Sequence, residues 1–346
     1  TRPGLMPSVA LLLRHRLIDL SGLTEKMPRQ GWCQFPPRCS LVHAMAVVPG
    51  IVNAPGGASD ERASLAERFA MLASAGVDLD ARVQGETPLM WAIRKGPIEA
   101  VRALLEAGAD VYAASREGWV ALHVAAACGR AEAVPELIGG MAELPDYERF
   151  QGRNIVVGEG AKQGWNALHL AAAAGSEKHA QTLRVIATYP GGMNDRTPAG
   201  ESPLLLAVRA NSALAIHALL DCEVDARAAV DLKHGKAGKT ALHAACEWGK
   251  SVAGVALLTC GANPRATMSD GSQPLHLAAR LHPGMPVHRR DLAEALVDFH
   301  ADVNQKNNQG FTPLDIARNA GNDPVCALLK SRGAVGDGGA FTPYNP

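Results

Sequence analysis

Residues Gly85–Ala92 read Gly-Glu-Thr-Pro-Leu-Met-Trp-Ala, and their skeleton, Gly-x-x-x-Leu-x-x-Ala, returns six more times along the chain. The further copies begin at Gly118, Gly164, Gly200, Gly238, Gly271 and Gly310, at spacings of 33, 46, 36, 38, 33 and 39 residues. Each copy keeps the leucine and the alanine three residues apart, which places both on one side of a helix. A pattern repeated at this period predicts an array of similar units that stack on one another.

The residues around each skeleton predict where a helix begins. In most copies the leucine is preceded by a side chain whose oxygen can accept an unpaired backbone N–H, namely Thr87, Asn166, Ser202, Thr240 or Thr312. Proline often follows at the first helical position, where a missing N–H costs nothing. A short first helix is therefore predicted in each unit. Its leucine and alanine face a core, and the small alanine lets a second helix approach closely.

Glycines mark where each first helix is predicted to end. We expect the left-handed backbone conformation, which glycine tolerates, at Gly96, Gly129, Gly175, Gly249 and Gly321. Asn211 is an acceptable substitute for glycine at the corresponding point of another unit. A second, antiparallel helix follows in each unit, and in one of them the predicted buried stripe is Val252, Val255 and Leu258.

These motifs resemble the ankyrin-repeat family. Thr87-Pro88-Leu89, Ala-Leu-His-Val-Ala at 121–125 and Gly-Ala-Asp-Val at 108–111 match its Gly-x-Thr-Pro-Leu-His-x-Ala-Ala and Gly-Ala-Asp-Val signatures. The resemblance covers about residues 61 to 335. It implies an all-α ankyrin solenoid of helix-turn-helix units joined by β-hairpin-like turns. In that family the hairpins project at the edge of a concave face lined by the first helices, and this face binds other proteins.

Three segments are expected from the pattern. Residues 1–76 contain loops rich in proline and glycine and are predicted to be a divergent N-terminal cap. Residues 77–335 form the repeat array, interrupted by an insertion at residues 141–162. Residues 336–346 show no periodicity and are predicted to be a tail or linker. Because the sequence begins at Thr1 rather than methionine, further flanking domains remain an open alternative.

The composition of the chain indicates which class of partner it binds and in which compartment it resides. The 34 basic and 34 acidic residues give a formal net charge of zero, which argues against nucleic acid or an anionic membrane as the partner. No apolar run approaches the roughly eighteen residues of a membrane span. The seven cysteines are odd in number and scattered, which favours a reducing, intracellular compartment, cytoplasmic or nuclear. We expect a monomer.

The histidines invite a catalytic or metal-binding interpretation, but their spacing argues for a structural one. His123, His169, His243 and His276 occupy the same slot of successive repeats, whereas metal ligands must converge on one point. The family resemblance implies that this histidine hydrogen-bonds the turn region. Cys33, Cys39 and His43 match no strong zinc pattern and lack a fourth ligand. We therefore predict no metal site.

No enzyme signature is present in the sequence. Gly158-Glu159-Gly160 weakly resembles a dinucleotide-binding loop but lacks the spacing and the strand-turn-helix context of the true fingerprint. Nucleophile-elbow, phosphate-loop and zinc-protease motifs are all missing. The sequence thus predicts neither catalysis nor a cofactor. Two alternatives stay open: the targeting part of a larger enzyme, such as a ubiquitin ligase or a secreted bacterial effector, and the cytosolic repeat domain of a channel.

Aromatic residues indicate where a partner would bind. The chain is only 4% aromatic, yet Trp119, Trp165 and Phe311 each follow a repeat glycine directly, and Trp248 lies at the end of a predicted first helix. Interfaces concentrate their binding energy in such residues and in arginine. The predicted partner-binding residues are Trp119, Trp165, Trp248, Phe311, Arg94, Arg116 and Arg209. The alternative is that Trp119 and Trp165 pack on each other or under the 141–162 insertion.

Overall fold

A computed structural model describes residues 42, 46, 65–74, 76–140, 162–189, 192, 194–221, 230–280 and 287–336. All regular elements among these residues are α-helices, as expected, with isolated β-bridges at Val83–Glu86 and His234–Lys239. None of the described helices has the length and hydropathy that crossing a bilayer requires. Most of the predicted N-terminal cap, the insertion up to residue 161, the Cys33, Cys39 and His43 group, and the tail after residue 336 lie outside the described residues.

The chain divides into two compact units, Thr1–Ala167 and Leu168–Pro346. Helices of the first unit are α1 (Leu65–Ser74), α2 (Pro88–Lys95), α3 (Ile98–Glu106), α4 (Ala121–Cys128) and α5 (Ala133–Gly140). Helices α2 and α4 pack side by side as one layer, while α3 packs between α1 and α5 in a second layer. The two layers meet within the pairs α2–α3 and α4–α5. The first unit is thus a stack of antiparallel helix pairs.

The second unit repeats the same arrangement. Its helices are α6 (Ala167–Ala174), α7 (Glu177–Ala187), α8 (Pro203–Arg209), α9 (Ala213–Leu220), α10 (Ala241–Trp248), α11 (Ser251–Thr259), α12 (Pro274–Ala279), α13 (Val287–Asp298), α14 (Pro313–Asn319) and α15 (Asp323–Ser331). First helices α8, α10, α12 and α14 pack in sequence order as one layer. Second helices α7, α9, α11, α13 and α15 form the other layer.

The repeated leucine and alanine account for the core between the layers. All seven leucines and all seven alanines of the skeleton are buried, for example Leu89 with Ala92 and Leu242 with Ala245. Burying a leucine side chain stabilises the fold by about 2 kcal/mol. The alanine contributes less area, but its small side chain permits the close packing of first helices against one another. The leucines and alanines that repeat in the sequence are therefore residues of the core.

Four of the five predicted helix caps are confirmed. The side-chain oxygens of Thr87, Ser202, Thr240 and Thr312 each accept the backbone N–H three residues on. In the second repeat Val120 occupies this position and no side-chain cap forms. Its backbone N–H is donated to the Nδ1 atom of His123 at 3.2 Å, as the N–H of the capped Thr240 is to His243. That helix start therefore has one stabilising hydrogen bond fewer than its neighbours.

One predicted helix end is wrong in conformation. Gly129, Gly175, Gly249 and Gly321 adopt positive φ as expected, and Asn211 replaces glycine with φ of 54°. Gly96, however, is extended, with φ of −89° and ψ of 169°. A β-carbon at this position would collide with the carbonyl oxygen of Ala46. Glycine is needed at position 96 because another backbone passes close by, not because the turn is left-handed.

The predicted stripe of α11 is also wrong. Val252 and Val255 are 49% and 38% exposed, and only Leu258 of the expected stripe is buried. Gly254 takes the inward position, where an added β-carbon would collide with Leu292 of α13. Because α11 carries apolar residues on all sides, its periodicity does not determine which side faces the core.

Candidate functional site

The candidate site is built from two sets of residues that each repeat brings together. One set directly follows each repeat glycine and lies at the base of the hairpin; the other lies in the last turn of the first helix. Within each unit, we call their combined surface the first-helix face. In the first unit Glu86 and Arg94 form an ion pair of 2.6 Å across it. In the second unit Lys239 pairs with Glu247 at 2.6 Å, with the charges reversed.

The recurrent histidine fixes the hairpins relative to the first helices. The Nδ1 atoms of His243 and His276 accept backbone N–H groups at 3.2 and 3.1 Å, so the protons of these neutral rings reside on Nε2. Those Nε2–H groups donate to the carbonyl oxygens of Ser272 and Phe311, both at 3.2 Å, in the next hairpin. His169 donates in the same way to the carbonyls of Asp195 and Glu201. These hydrogen bonds account for the repetition of this histidine.

Burial keeps these imidazoles neutral. It lowers the pKa of His243 from 6.5 to about 4, and it also lowers the pKa values of His169 and His276. Asp315 takes the same slot in the last repeat, where its Oδ2 accepts the Thr312 backbone N–H at 3.1 Å and the Thr312 hydroxyl at 2.7 Å. Within the described ranges no three His, Cys, Asp or Glu side chains converge to hold a metal ion.

In the first unit Lys162 lies against both Trp119 and Trp165. Its Nζ is 5.9 Å from the centroid of the Trp119 ring and 5.4 Å from that of Trp165, a cation–π geometry with each. Both indoles are half-buried. The Trp119 ring also meets His123 edge-on, with centroids 6.3 Å apart and an angle of 72°. We call Trp119, Lys162 and Trp165 the tryptophan–lysine cluster.

This cluster bears on the alternative that the insertion covers the tryptophans. Lys162 is the last residue of the 141–162 insertion, so that end of the insertion does contact both rings. Lys162 is not identifiable from the sequence, because 43 residues separate it from Trp119 and nothing in the repeat marks it. Its position directly before the third repeat's hairpin is the one signal that places it near Trp165.

In the second unit Arg209 and Trp248 come together across neighbouring repeats. The guanidinium carbon of Arg209 on α8 is 5.5 Å from the ring centroid of Trp248 on α10. Arg209 also forms an ion pair with Glu201 on the hairpin that precedes α8. Arg209 is exposed and Trp248 is half-buried. The result is a continuous row, Glu201–Arg209–Trp248, on the first-helix face.

The remaining predicted residues make contacts of their own. Arg94 is exposed, and besides its pair with Glu86 its Nη1 is 4.0 Å from the sulfur of Cys128. Arg116 is exposed at a hairpin, where its backbone N–H is donated to the carbonyl of Gly85 at 3.2 Å. Phe311 is half-buried, and its backbone N–H is donated to Asn307 Oδ1 at 3.0 Å.

Comparison with known proteins supplies relatives for this repeat pattern. The family model described as "Ankyrin repeats (3 copies)" matches residues 62–146, 182–268 and 251–337. The putative ankyrin repeat protein FPV031 of fowlpox virus (strain NVSL) is 34% identical over 134 residues, which cover 38% of this chain and 37% of that protein. The nuclear factor NF-kappa-B p105 subunit of Gallus gallus is 30% identical over 250 residues, covering 68% of this chain and 20% of that protein.

A third relative and one solved structure complete the comparison. Notch-regulated ankyrin repeat-containing protein A of Danio rerio is 44% identical over 55 residues, 16% of this chain and 49% of that protein. The chain thus spans less than half the length of each of these relatives. The crystal structure of the ankyrin repeat domain of Bcl-3, a member of the IkappaB protein family, aligns with a TM-score of 0.43 at 21% identity. That alignment covers 83% of this chain and 98% of the Bcl-3 chain.

Proposed function

Because this chain belongs to the ankyrin-repeat family, whose fold serves protein–protein interaction, we propose that it acts without catalysis by binding a protein partner through the first-helix face. The observation that carries the proposal is the tryptophan–lysine cluster. Two of the five tryptophans in a chain that is only 4% aromatic share one lysine on this face. Half-buried indoles leave apolar area that a partner can cover, and such residues contribute about 2 kcal/mol or more as interface anchors.

The second unit offers a further anchor of the same kind. Trp248 is half-buried beneath the exposed Arg209, and both belong to the residue types enriched at binding hot spots. The ion pair with Glu201 holds Arg209 in place before a partner arrives, which reduces the side-chain entropy lost on binding. In this proposal Phe311, Arg94 and Arg116 contribute contacts around the tryptophan anchors.

The described chemistry favours binding over catalysis. The repeated histidines are buried and hydrogen-bonded to the hairpins, where they stabilise the fold. We propose a monomer in a reducing intracellular compartment, cytoplasmic or nuclear, with a protein rather than nucleic acid as partner. The absence of disulfides among the described cysteines, Cys128, Cys246, Cys260 and Cys326, fits that compartment.

A second candidate function follows from the lengths of the relatives. The matched region covers 37% of the fowlpox protein and 20% of the p105 subunit, so the repeats of these relatives belong to longer polypeptides. On this proposal the present repeats recruit a partner for a longer protein, such as an enzyme, a secreted effector or a channel. The binding step is the same in both candidates, and the full-length gene sequence separates them.

The test replaces both tryptophans of the cluster. Partners are first captured from a lysate by the wild-type chain and identified by mass spectrometry, and the purified partner is then titrated against Trp119→Ala/Trp165→Ala. We expect at least a tenfold weaker Kd with little change in Tm, because the removed rings are half-buried at the surface. The matched control, Leu214→Ala/Val252→Ala, removes exposed apolar side chains from second helices and should leave Kd unchanged. A lowered Tm with intact partner binding would show that the rings serve the fold alone.

A further inference from the structure

The hairpin Lys233–Lys239 in the second unit differs from its neighbours in how it closes. In two other hairpins of the second unit a side chain accepts a returning backbone N–H: Thr197 Oγ1 accepts that of Glu201 at 3.2 Å, and Asn307 Oδ1 accepts that of Phe311 at 3.0 Å. His234 holds the corresponding position, but here the backbones bond in both directions. The His234 N–H donates to the Lys239 carbonyl at 2.7 Å, and the Lys239 N–H donates back at 3.1 Å.

The His234 side chain is therefore not needed to close its hairpin. The residue is only 8% exposed, and neither ring nitrogen has a hydrogen-bond partner among the residues that the structure describes. Burial, together with the positive charge of Arg196, lowers the pKa of His234 to about 4. The ring is thus neutral and offers one N–H donor. Buried polar groups in folded proteins are nearly always paired, so the unpaired imidazole is open to a further partner such as a water or an anion.

The surroundings of His234 are basic. Lys233 and Lys236 are exposed on the same hairpin and form no ion pair with any described residue. Arg196 lies on the neighbouring hairpin, Asp195–Glu201, and donates to the Lys233 carbonyl at 3.3 Å and to the Gly200 carbonyl at 3.4 Å. These contacts hold the two hairpins together. We call Arg196, Lys233, His234 and Lys236 the basic hairpin cluster.

Acidic side chains near the cluster already form ion pairs or accept hydrogen bonds. Glu201 is paired with Arg209, and Glu247 is paired with Lys239. Asp270, on the following hairpin, accepts the backbone N–H of Ser272 at 2.9 Å. The cluster therefore brings three cations together on two hairpins of a chain whose formal net charge is zero, with the carboxylate of Asp270 on the following hairpin.

We propose that the basic hairpin cluster binds an anionic group on a segment of a partner protein, either a phosphorylated side chain or closely spaced carboxylates. Arg196, Lys233 and Lys236 supply the positive charge. Both ring nitrogens of His234 are buried, so the hairpin must shift to uncover one of them before His234 donates a hydrogen bond to the anion. This inference rests on the proposed protein-binding function and names the chemistry of the partner. Guanidinium and ammonium groups form their strongest hydrogen bonds with carboxylates and phosphates.

The location and the size of the cluster favour a protein segment over nucleic acid. Lys239 and Glu201, at the bases of the two hairpins, form ion pairs with Glu247 and Arg209 on the first helices, so the cluster adjoins the first-helix face. Nucleic-acid binding draws its affinity from many phosphate contacts along an extended basic surface. Three cations on two hairpins suit one phosphate or a short acidic run.

The experiment measures Kd by fluorescence anisotropy with labelled twelve-residue Gly/Ser peptides. One peptide carries two phosphoserines, one carries four glutamates and one carries four glutamines; a twelve-nucleotide single-stranded DNA completes the set. For wild type we expect the anionic peptides to bind and the glutamine peptide not to bind. Lys233→Gln/Lys236→Gln should weaken that binding about tenfold. Lys178→Gln/Lys330→Gln, the same change in charge on exposed second-helix lysines, should change it less than twofold. Equal loss in both variants would overturn the site.

A second variant separates the site from a general charge effect. His234→Phe keeps an aromatic ring and the net charge but removes the N–H donor, and we expect several-fold weaker peptide binding with an unchanged or raised Tm. Unchanged affinity in this variant would remove His234 from the proposal. DNA that binds as tightly as the phosphopeptide and responds equally to Lys233→Gln/Lys236→Gln would overturn the assignment to a protein segment. Of the two anionic peptides, the one that binds more tightly identifies the group.

The same assay distinguishes this inference from the proposed function. Trp119→Ala/Trp165→Ala should leave the affinity for the anionic peptides unchanged, because the cluster lies on other hairpins. If the tryptophan variant retains its protein partner, the proposed anchors fail while the peptide result still stands. If Lys233→Gln/Lys236→Gln leaves peptide binding intact while the tryptophan variant loses its partner, the anion site fails and the binding function stands.

Discussion

Arg209 stacks on the indole of Trp248, with its guanidinium carbon 5.5 Å from the ring centroid, and so connects first helices of neighbouring repeats. Arg94 occupies the equivalent position in the first repeat and forms the equivalent ion pair, with Glu86. Its additional contact is to Cys128 rather than to an aromatic ring. Comparing variants of the two arginines therefore separates the effect of the aromatic contact from that of the ion pair.

We predict that Arg209→Ala shifts the fluorescence emission of Trp248 to longer wavelength, because removal of the guanidinium exposes one side of the indole to water. The stability change should be about 1 kcal/mol or less, since the guanidinium that forms the ion pair and the stack is exposed. Difference spectra between each variant and the same variant carrying Trp248→Phe isolate this tryptophan. Arg94→Ala serves as the control and should leave the Trp248 difference spectrum unchanged; an equal shift there would contradict the assignment.

Stability is predicted to fall as the solution becomes acidic, in part because of His243. Burial lowers the pKa of His243 from 6.5 to about 4 in the folded chain. Between these pH values the unfolded chain binds a proton that the folded chain does not, so the free energy of unfolding decreases as pH falls through this window. The shift corresponds to about 3 kcal/mol for His243, and the lowered pKa values of His169 and His276 act in the same direction.

Urea unfolding of wild type and of His243→Gln at pH 7 and pH 4.5 checks this prediction. The variant should lose less stability between the two pH values than wild type does, because its side chain does not titrate. Groups that titrate elsewhere in the chain contribute equally to both proteins and cancel in the difference. Parallel loss of stability in the two proteins would mean that His243 is not the source.

The repeat skeleton predicted the helix pairs and the core because each skeleton residue has one role repeated many times. Leu89 and Ala92 are buried for the same reason as Leu242 and Ala245, so one interpretation serves every copy. The roles that occur only once were harder to predict. Glycine is required at position 96 because the backbone of Ala46 passes close to it, and the local sequence does not reveal that contact.

In the candidate site, too, residues at repeated positions were predicted and residues with a unique role were not. Trp119 and Trp165 were identified from their register, directly after a repeat glycine. Lys162 was not, because its contact with both rings depends on where the chain returns after the insertion. His234 was not singled out either, since a histidine in a hairpin is unremarkable until its burial and its unused ring nitrogens are known.

Exposure of Val252 and Val255 leads to a prediction opposite to that of the sequence pattern. If they belonged to the core, Val252→Thr/Val255→Thr would be strongly destabilising. Because they are 49% and 38% exposed, we expect a change within about 0.5 kcal/mol. The buried Leu257 on the same helix is the control, and Leu257→Ala should cost about 2–5 kcal/mol. Chemical denaturation of the three proteins measures both values, and a large loss in the valine variant would restore the original stripe.

Gly254 provides the sharpest test of how closely α11 and α13 pack. In an open helical position, replacing glycine by alanine stabilises a helix by about 1 kcal/mol. A β-carbon on Gly254 would instead collide with Leu292, so Gly254→Ala should destabilise the protein by about 1–3 kcal/mol. Gly139, in α5, has nothing within 4 Å of the added carbon, so Gly139→Ala should be stabilising. Opposite signs for the two substitutions in urea unfolding are the expected result, and Leu292→Val should restore part of the stability lost in Gly254→Ala. Stabilisation by both substitutions would mean that the helices are not in close contact at Leu292.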